Sequence, residues 1–275
     1  MPYRRFVHAW ALALCAVTAA APAAAEPAAG TENSDVGHTT GYVPGQGFNL
    51  PLGFRGGGYS NIVATDLRGQ NWSLYPEALS LFLYRNFGYR WHLFSEIELG
   101  EPFAFTRKGI DTDDVEADLE RLYMDYDVTS RMAVRFGKFL TPVGRWNLIH
   151  ADPLIWTVSR PLTTTAAFPN HATGVMLHGT LPIGNTDLDY SLYGDASQAL
   201  DPTPNDEKTF PDIGKRNNPV NGFENAIGGR VLYRSFDERL QIGLSAVHFR
   251  RVAGQTENLV GTDWYWSIGR GQLSG

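Results

Sequence analysis

The chain of 275 residues carries a single cysteine, Cys15. One thiol closes no internal disulfide and builds no multi-thiolate metal site, so disulfide scaffolds and zinc knuckles are excluded. An excess of positive charge is missing too. Lys and Arg number 23 against 29 Asp and Glu, a formal balance of -6, which is the wrong sign for a nucleic-acid binder and removes nucleic acid from the expected partners. Past residue 25 no run of 18 apolar residues occurs, so no transmembrane helix is expected there. The sequence also lacks the G-x-S-x-G and H-E-x-x-H motifs. A nucleophile working with His178 or His248 would need a purely tertiary arrangement, so neither an enzyme nor a cofactor is expected.

What is present is aromatic and glycine-rich. Seven Trp, 12 Tyr and 15 Phe accompany 29 Gly and 16 Pro, a mixture that favours short strands and turns over helical bundles or disorder. Residues 1–25 read as a secretory signal, with Arg4 and Arg5 ahead of an apolar run from Phe6 to about Ala19 and small residues ending Ala23, Ala24, Ala25. Cleavage is expected before Glu26. Leu14 is too bulky for the small residue that precedes a lipidated cysteine, so Cys15 is expected to leave with the signal. Removing Arg4 and Arg5 leaves 21 basic against 29 acidic side chains, a balance of -8. Residues 26–50, rich in Ala, Gly, Pro, Thr and Asn, read as a flexible leader.

From about residue 51 the texture becomes one of period-two alternation, which sends neighbouring side chains to opposite faces of a strand. About ten strands are predicted, from Leu52–Ala64 to Thr262–Gln272. One face carries Leu, Ile, Val, Trp and Tyr, as in Ile227, Val231 and Tyr233 or Leu240, Ile242 and Leu244. The other carries mid-strand charge, including Arg90, Glu96, Asp125, Arg135, Asp187 and Arg230. Tight connections near residues 86–88, 129–130, 182–186 and 235–238 alternate with long ones at 100–118, 140–173 and 196–225. Lipid on one side, water on the other and turns shorter than the opposite loops are the features of a transmembrane antiparallel up-and-down β-barrel, and that all-β fold is the prediction for 51–275. A secreted β-rich carbohydrate-binding or structural protein is the alternative; it accounts for the aromatics but not for the alternating connections.

The connection 140–173 is too apolar for an exposed loop, holding Trp146, Leu148, Ile149, Leu154, Ile155, Trp156, Val158, Leu162 and Phe168. It is expected to fold inward, pack on the wall and narrow the passage. Between Arg131 and Pro182 the basic residues Arg131, Arg135, Lys138, Arg145 and Arg160 face one acid, Asp152, a local balance of +4. Fixed positive charge in a narrow aqueous constriction concentrates anions, so passage of small anionic or polar solutes is expected. Pairing of Arg131 and Arg135 with Asp125 and Asp127 across the hairpin is the competing reading of those two arginines.

The run from Gly137 to Trp146, with Lys138, Pro142, Gly144 and Arg145 in it and Arg135 leading in, resembles the strand-to-constriction passage of bacterial outer-membrane porins of the phosphate-selective O and P type. The resemblance implies a sixteen-stranded barrel in the outer membrane of a Gram-negative bacterium, contact with lipid and lipopolysaccharide, a homotrimer, and a lumen lined with Arg and Lys. Carried onto this sequence, Lys138, Arg145, Arg160 and Asp152 would form the constriction, and Arg121 and Arg135 the wall. About ten strands, an acidic mature chain and Gly275 in place of a terminal aromatic depart from that pattern, and read as an N-terminal fragment of a longer porin. The acidic stretch Asp111, Asp113, Asp114, Glu116 and Asp118 lacks the glycine and distal Glu of a calcium loop, and His150, His171 and Asp152 lack metal-ligand spacing, so no metal is expected.

Overall fold

The computed structural model describes residues 42–43, 47–65, 72–100, 102–112, 116–149, 167–200, 222–252 and 256–275. The signal segment, His150, Asp152 and Arg160 lie outside the described residues. The chain falls into two compact units, one of Met1–Arg85 with Ser95–Leu119, the other of Asn86–Phe94 with Glu120–Gly275.

In the first unit β1 (Tyr42–Val43), β2 (Gly47–Asn49), β3 (Arg55–Thr65) and β4 (Ser73–Phe87) pair in succession, all antiparallel. β5 (Trp91–Gly100) follows, its first four residues belonging to the second unit, and a small hairpin of β6 (Ala104–Thr106) and β7 (Gly109–Asp111) pairs with the start of β4. Two of these strands fall inside the leader expected over 26–50, and the hairpin falls inside the expected loop 100–118. Elements of two or three residues are too short to show a period, which is why alternation did not reveal them.

The second unit is an antiparallel meander of β8 (Glu116–Thr129), β9 (Met132–Leu140), β10 (His171–Ile183), β11 (Thr186–Asp195), β12 (Phe223–Arg234), β13 (Leu240–Arg251), β14 (Thr256–Ile268) and β15 (Gly271–Ser274). Each strand pairs with the next. The short helices α1 (Gly144–Leu148) and α2 (Ser197–Leu200) lie in the connections after β9 and β11. Among the described residues there are fifteen strands where about ten were expected, and the ten long ones correspond to those predicted. The expected last strand, Thr262–Gln272, is interrupted at Gly269, whose φ of 59° starts a two-residue hairpin turn between Ile268 and Gly271. Gly184, with φ 62°, does the same between Ile183 and Thr186. Strict alternation of short and long connections also fails once, because β13 runs on to Arg251 and β14 starts at Thr256.

The two faces of the sheet are inverted relative to a water-soluble fold. On β12 to β14, Ile227, Val231, Ile242, Leu244, Val260, Trp264 and Trp266 are exposed, Val260 at 74%. On the opposite face Arg230, Ser245 and Asp263 are buried, Asp263 at 6%. In the first unit Glu96 and Ser80 are buried while Ile97 and Leu81 are exposed. Alternation here keeps polar side chains covered and leaves apolar ones bare.

The covered face also holds an apolar cluster. Phe139, Met176, Tyr193, Ala226, Val247 and Phe249 from the strands pack with Val143 and Phe168 from the two ends of the long connection. β10 starts early, so the connection runs from Thr141 to Asn170; its residues 150–166, with Leu154, Ile155, Trp156, Val158 and Leu162 of the expected inward-folding loop, lie outside the described residues. Its ends are tied to each other: Thr141 Oγ1 donates to Pro169 O at 2.8 Å, and Asn147 Nδ2 donates to Thr141 O at 2.7 Å and Asn170 O at 3.0 Å. α1 is tied to β13, where the Gly144 N–H donates to Ser245 Oγ at 3.1 Å.

A phase change on β9 brings this region together. Phe136 is exposed and Lys138 buried although they are two residues apart, because Gly137 between them takes φ 125°. A Cβ at Gly137 would run into the Leu122 carbonyl oxygen, so only glycine fits. Beyond it Lys138, Phe139 and Leu140 are all buried.

Candidate functional site: an arginine-lined cavity

A cavity of about 360 Å³ lies on the covered face of the second unit. Its polar lining comes from Arg121 of β8, Arg135 of β9, His178 of β10, Asp189 and Ser191 of β11, and Arg230 of β12. The rest of its lining comes from Leu140, Pro142 and Leu148 around α1, with Met176, Tyr190 and Leu232. The strands present their charged residues side by side because the ladder places Asp125 opposite Arg135, and Ser191 opposite Arg230.

The three arginines differ in how they are held. Arg135 donates to Asp125 through Nε and Nη2 at 2.7 and 2.8 Å, a bidentate fork, and its guanidinium lies over the Tyr123 ring at 3.7 Å. The cross-hairpin pairing weighed for Arg135 is therefore present, whereas Asp127 is engaged by His92 Nε2 at 2.8 Å. Arg121 lies over Phe94 at 4.7 Å. Arg230 reaches over β13 to β14, where Nη2 donates to Asp263 Oδ1 at 2.6 Å, while its Nε is buried without a hydrogen-bond partner. His178 Nε2 stands 3.5 Å from Asp125 Oδ1. Asp189 accepts from Thr180 Oγ1 at 2.6 Å and from Arg234 Nη2 at 2.9 Å.

The span from Arg230 to Asp263 depends on the residue beneath it. Gly243 on β13 sits directly under the pair, and a Cβ there would overlap Asp263 Oδ2 and Arg230 Nη2. Gly243→Ala is therefore expected to lower stability by about 1–3 kcal/mol through overpacking. Gly261→Ala is the control, since its Cβ would meet only Leu259 Cδ2 at 3.9 Å. Denaturant unfolding followed by circular dichroism should separate the two, and equal midpoints would mean that the pair tolerates displacement.

Of the sequence-derived site residues, Arg121 and Arg135 line this cavity. Arg145 does not. It lies on α1, donates from Nη1 to Gln241 Oε1 at 2.8 Å and covers the Tyr265 ring at 4.6 Å, and partial burial pulls its pKa below the ordinary arginine value. Lys138 is buried near the end of β9 opposite Leu122 and Thr173, a strand residue and not part of the loop. Asp152 and Arg160 lie outside the described residues. Close to Lys138 in the ladder, His171 Nε2 stands 2.9 Å from Glu120 Oε2, both buried.

Sequence reasoning left Arg230, His178 and Asp189 out of the site. The signal for Arg230 was present as mid-strand charge among Ile227, Val231 and Tyr233, but a charge count along residues 131–182 stops before it. The same count leaves out the acids that other strands supply: Asp125 from the adjacent strand to Arg135, as the competing reading has it, and Asp263 from two strands away to Arg230. Among the described residues no group of three or more His, Cys, Asp and Glu is placed to hold a metal ion, and no helix is long and apolar enough to cross a membrane. Comparison with protein-family models, with curated proteins and with solved structures returns no match for this chain.

Proposed function

We propose that the chain is the strand wall of an outer-membrane porin that lets small hydrophilic solutes diffuse passively, with a preference for anions. The observation that carries this reading is the inverted polarity of the sheet. Exposed Leu, Ile, Val and Trp on one face suit acyl chains, and buried Arg, Asp, Glu and Ser on the other suit a water-filled or polar lumen. In water the same surface would be an extended apolar patch of the kind that drives association.

Aromatics at the turn end support the same reading. Trp91 and Tyr126 pack in a tilted pair with ring centroids 4.6 Å apart, and Tyr89, Phe236 and Trp266 are exposed near the tight turns, the position of an interfacial girdle in contact with lipid head groups or lipopolysaccharide. The anion preference rests on a lining of three arginines against Asp189. Asp125 and Asp263 offset two of those arginines, so a modest permeability ratio is expected.

Two measurements test the proposal. The full chain should partition with outer membranes, resist a carbonate wash and require detergent for extraction, where a secreted β-rich protein would stay in the wash. In planar bilayers under a KCl gradient the reversal potential should have the sign of anion preference, and Arg121→Glu with Arg135→Gln should move it toward cations. A cation-selective current that these substitutions leave unchanged would remove the anion preference while leaving the pore.

A further inference from the structure

We infer that the small hairpin β6–β7 is a lipid clamp, with its apolar face laid on acyl chains and its two-cation turn on the phosphates of lipid A. The inference rests on the outer-membrane reading for the leaflet that the hairpin meets. It assigns a role to an element of the first unit that lies outside the arginine-lined cavity.

An unbroken apolar row forms the base of the clamp. Phe105 of β6 pairs with Leu74 of β4 on one side and with Ile110 of β7 on the other, and residues paired across a ladder share a face. All three side chains are exposed, Ile110 at 70%. Phe103, two residues before Phe105, adds an exposed ring to this face and meets the Phe105 ring edge to face at 5.5 Å. The row continues the bare face of β4. A bulge leaves Glu77 unpaired between Pro76 and Ala78, and the phase shift it causes puts Leu74 on the same side as exposed Leu81.

Two cations cap this row. β6 runs antiparallel to β4, so the turn Arg107–Lys108 lies beyond Ser73, at the end of β4 away from its tight turn at 88–90. Thr106 Oγ1 donates to Gly109 O at 3.0 Å and accepts from the Lys108 N–H at 3.2 Å, which fixes the turn. Both cationic side chains are exposed, and among the described residues neither makes an ion pair or a hydrogen bond. Asp111, the acid of the hairpin, stands opposite Ala104 on the other face.

The order of these parts selects the lipid. In a wall of this kind the end opposite the tight turns faces outward, where the leaflet consists of lipid A with its phosphates standing above its acyl chains. Apolar side chains below and cations above match that sequence of layers, and each part adds to the attraction of the other. A free phosphate would engage Arg107 and Lys108 alone and leave the apolar row in water.

Fluorescence anisotropy of labelled lipid A with the full chain in detergent tests the clamp, with unlabelled lipid A, dephosphorylated lipid A and phosphatidylglycerol as competitors. Lipid A should compete roughly thirtyfold better than its dephosphorylated form, the gain expected from two cations at an anionic lipid surface. Arg107→Gln with Lys108→Gln should erase that difference. Phe105→Ser with Ile110→Ser should weaken both forms together. Arg239→Gln with Arg270→Gln, an equal loss of charge in tight turns of the second unit, should change neither. A difference that survives the hairpin charge variant, an equal loss in the tight-turn variant, or phosphatidylglycerol that competes as well as lipid A overturns the clamp. Planar bilayers separate this from the porin reading. Phosphate-dependent lipid A binding without channel current keeps the clamp and removes the pore; channel current without that binding does the reverse.

Discussion

Leu244→Arg is expected to cost about 2–4 kcal/mol of folding stability in lipid, the depth-dependent penalty for a cation on the lipid face near the bilayer midplane. Leu244 is 49% exposed at the middle of β13, paired with Val231 on β12 and Thr262 on β14. Ile242, Val260 and Trp264 share its bare face. Judged by exposure alone, an arginine there should be harmless, since surface substitutions usually stay within about 0.5 kcal/mol in water. The control is Phe236→Arg in the turn between β12 and β13, a residue exposed at 81%. Near a head-group interface that change should cost about 0–1 kcal/mol. The two side chains are both exposed by area and differ in distance from the strand ends, so the contrast reads the solvent each one meets. Urea titration of the chain refolded into phospholipid vesicles supplies the measurement. Equal and near-zero costs at both positions would mean that water surrounds β13, and the membrane reading would fall with it.

The ten long strands were legible because period-two alternation over nine or more residues is a strong signal, and it is the same signal whichever solvent lies outside. What alternation does not carry is which face is covered. Mid-strand charge at Glu96, Asp125 and Arg230 pointed to the polar face, and those residues are the less exposed members of their strands. The short strands β1, β2, β6, β7 and β15 were missed because two to four residues hold no period. The single-strand reading of Thr262–Gln272 fails at Gly269, because Ile268-Gly-Arg-Gly supplies a two-residue turn.

The site was less legible than the fold for a physical reason. Charge counted along a chain treats neighbours in sequence as neighbours in space, but on an antiparallel sheet the partners of a residue sit on other strands. Arg135 and Asp125 are 10 residues apart and share a bidentate contact. Arg230 and Asp263 are separated by 33 residues and a whole intervening strand. The residue that makes the latter contact geometrically open, Gly243, has no charge to draw attention in a sequence count. A search for glycine on the polar face of a strand flanked by two strands carrying opposite mid-strand charges would have found it.

That spanning pair gives the second large expected effect. Asp263→Ala should destabilise the chain by about 3–5 kcal/mol, because it leaves the Arg230 guanidinium buried beside a missing partner. Nε already lacks an acceptor, so losing Asp263 removes the ion pair that Nη2 makes while one donor is already unsatisfied. Removing both charges, with Arg230→Gln and Asp263→Asn, should return most of that loss. Two neutral amides carry a much smaller desolvation cost than one stranded charge, although Gln is too short to span Gly243 as Arg230 does. A double-mutant cycle on unfolding free energy in detergent therefore predicts a large coupling, with the double variant more stable than Asp263→Ala. Additive costs would mean that water already reaches the pair. In that case Arg230 Nε is hydrated instead of orphaned, and the penalty assigned to the stranded charge falls along with the coupling.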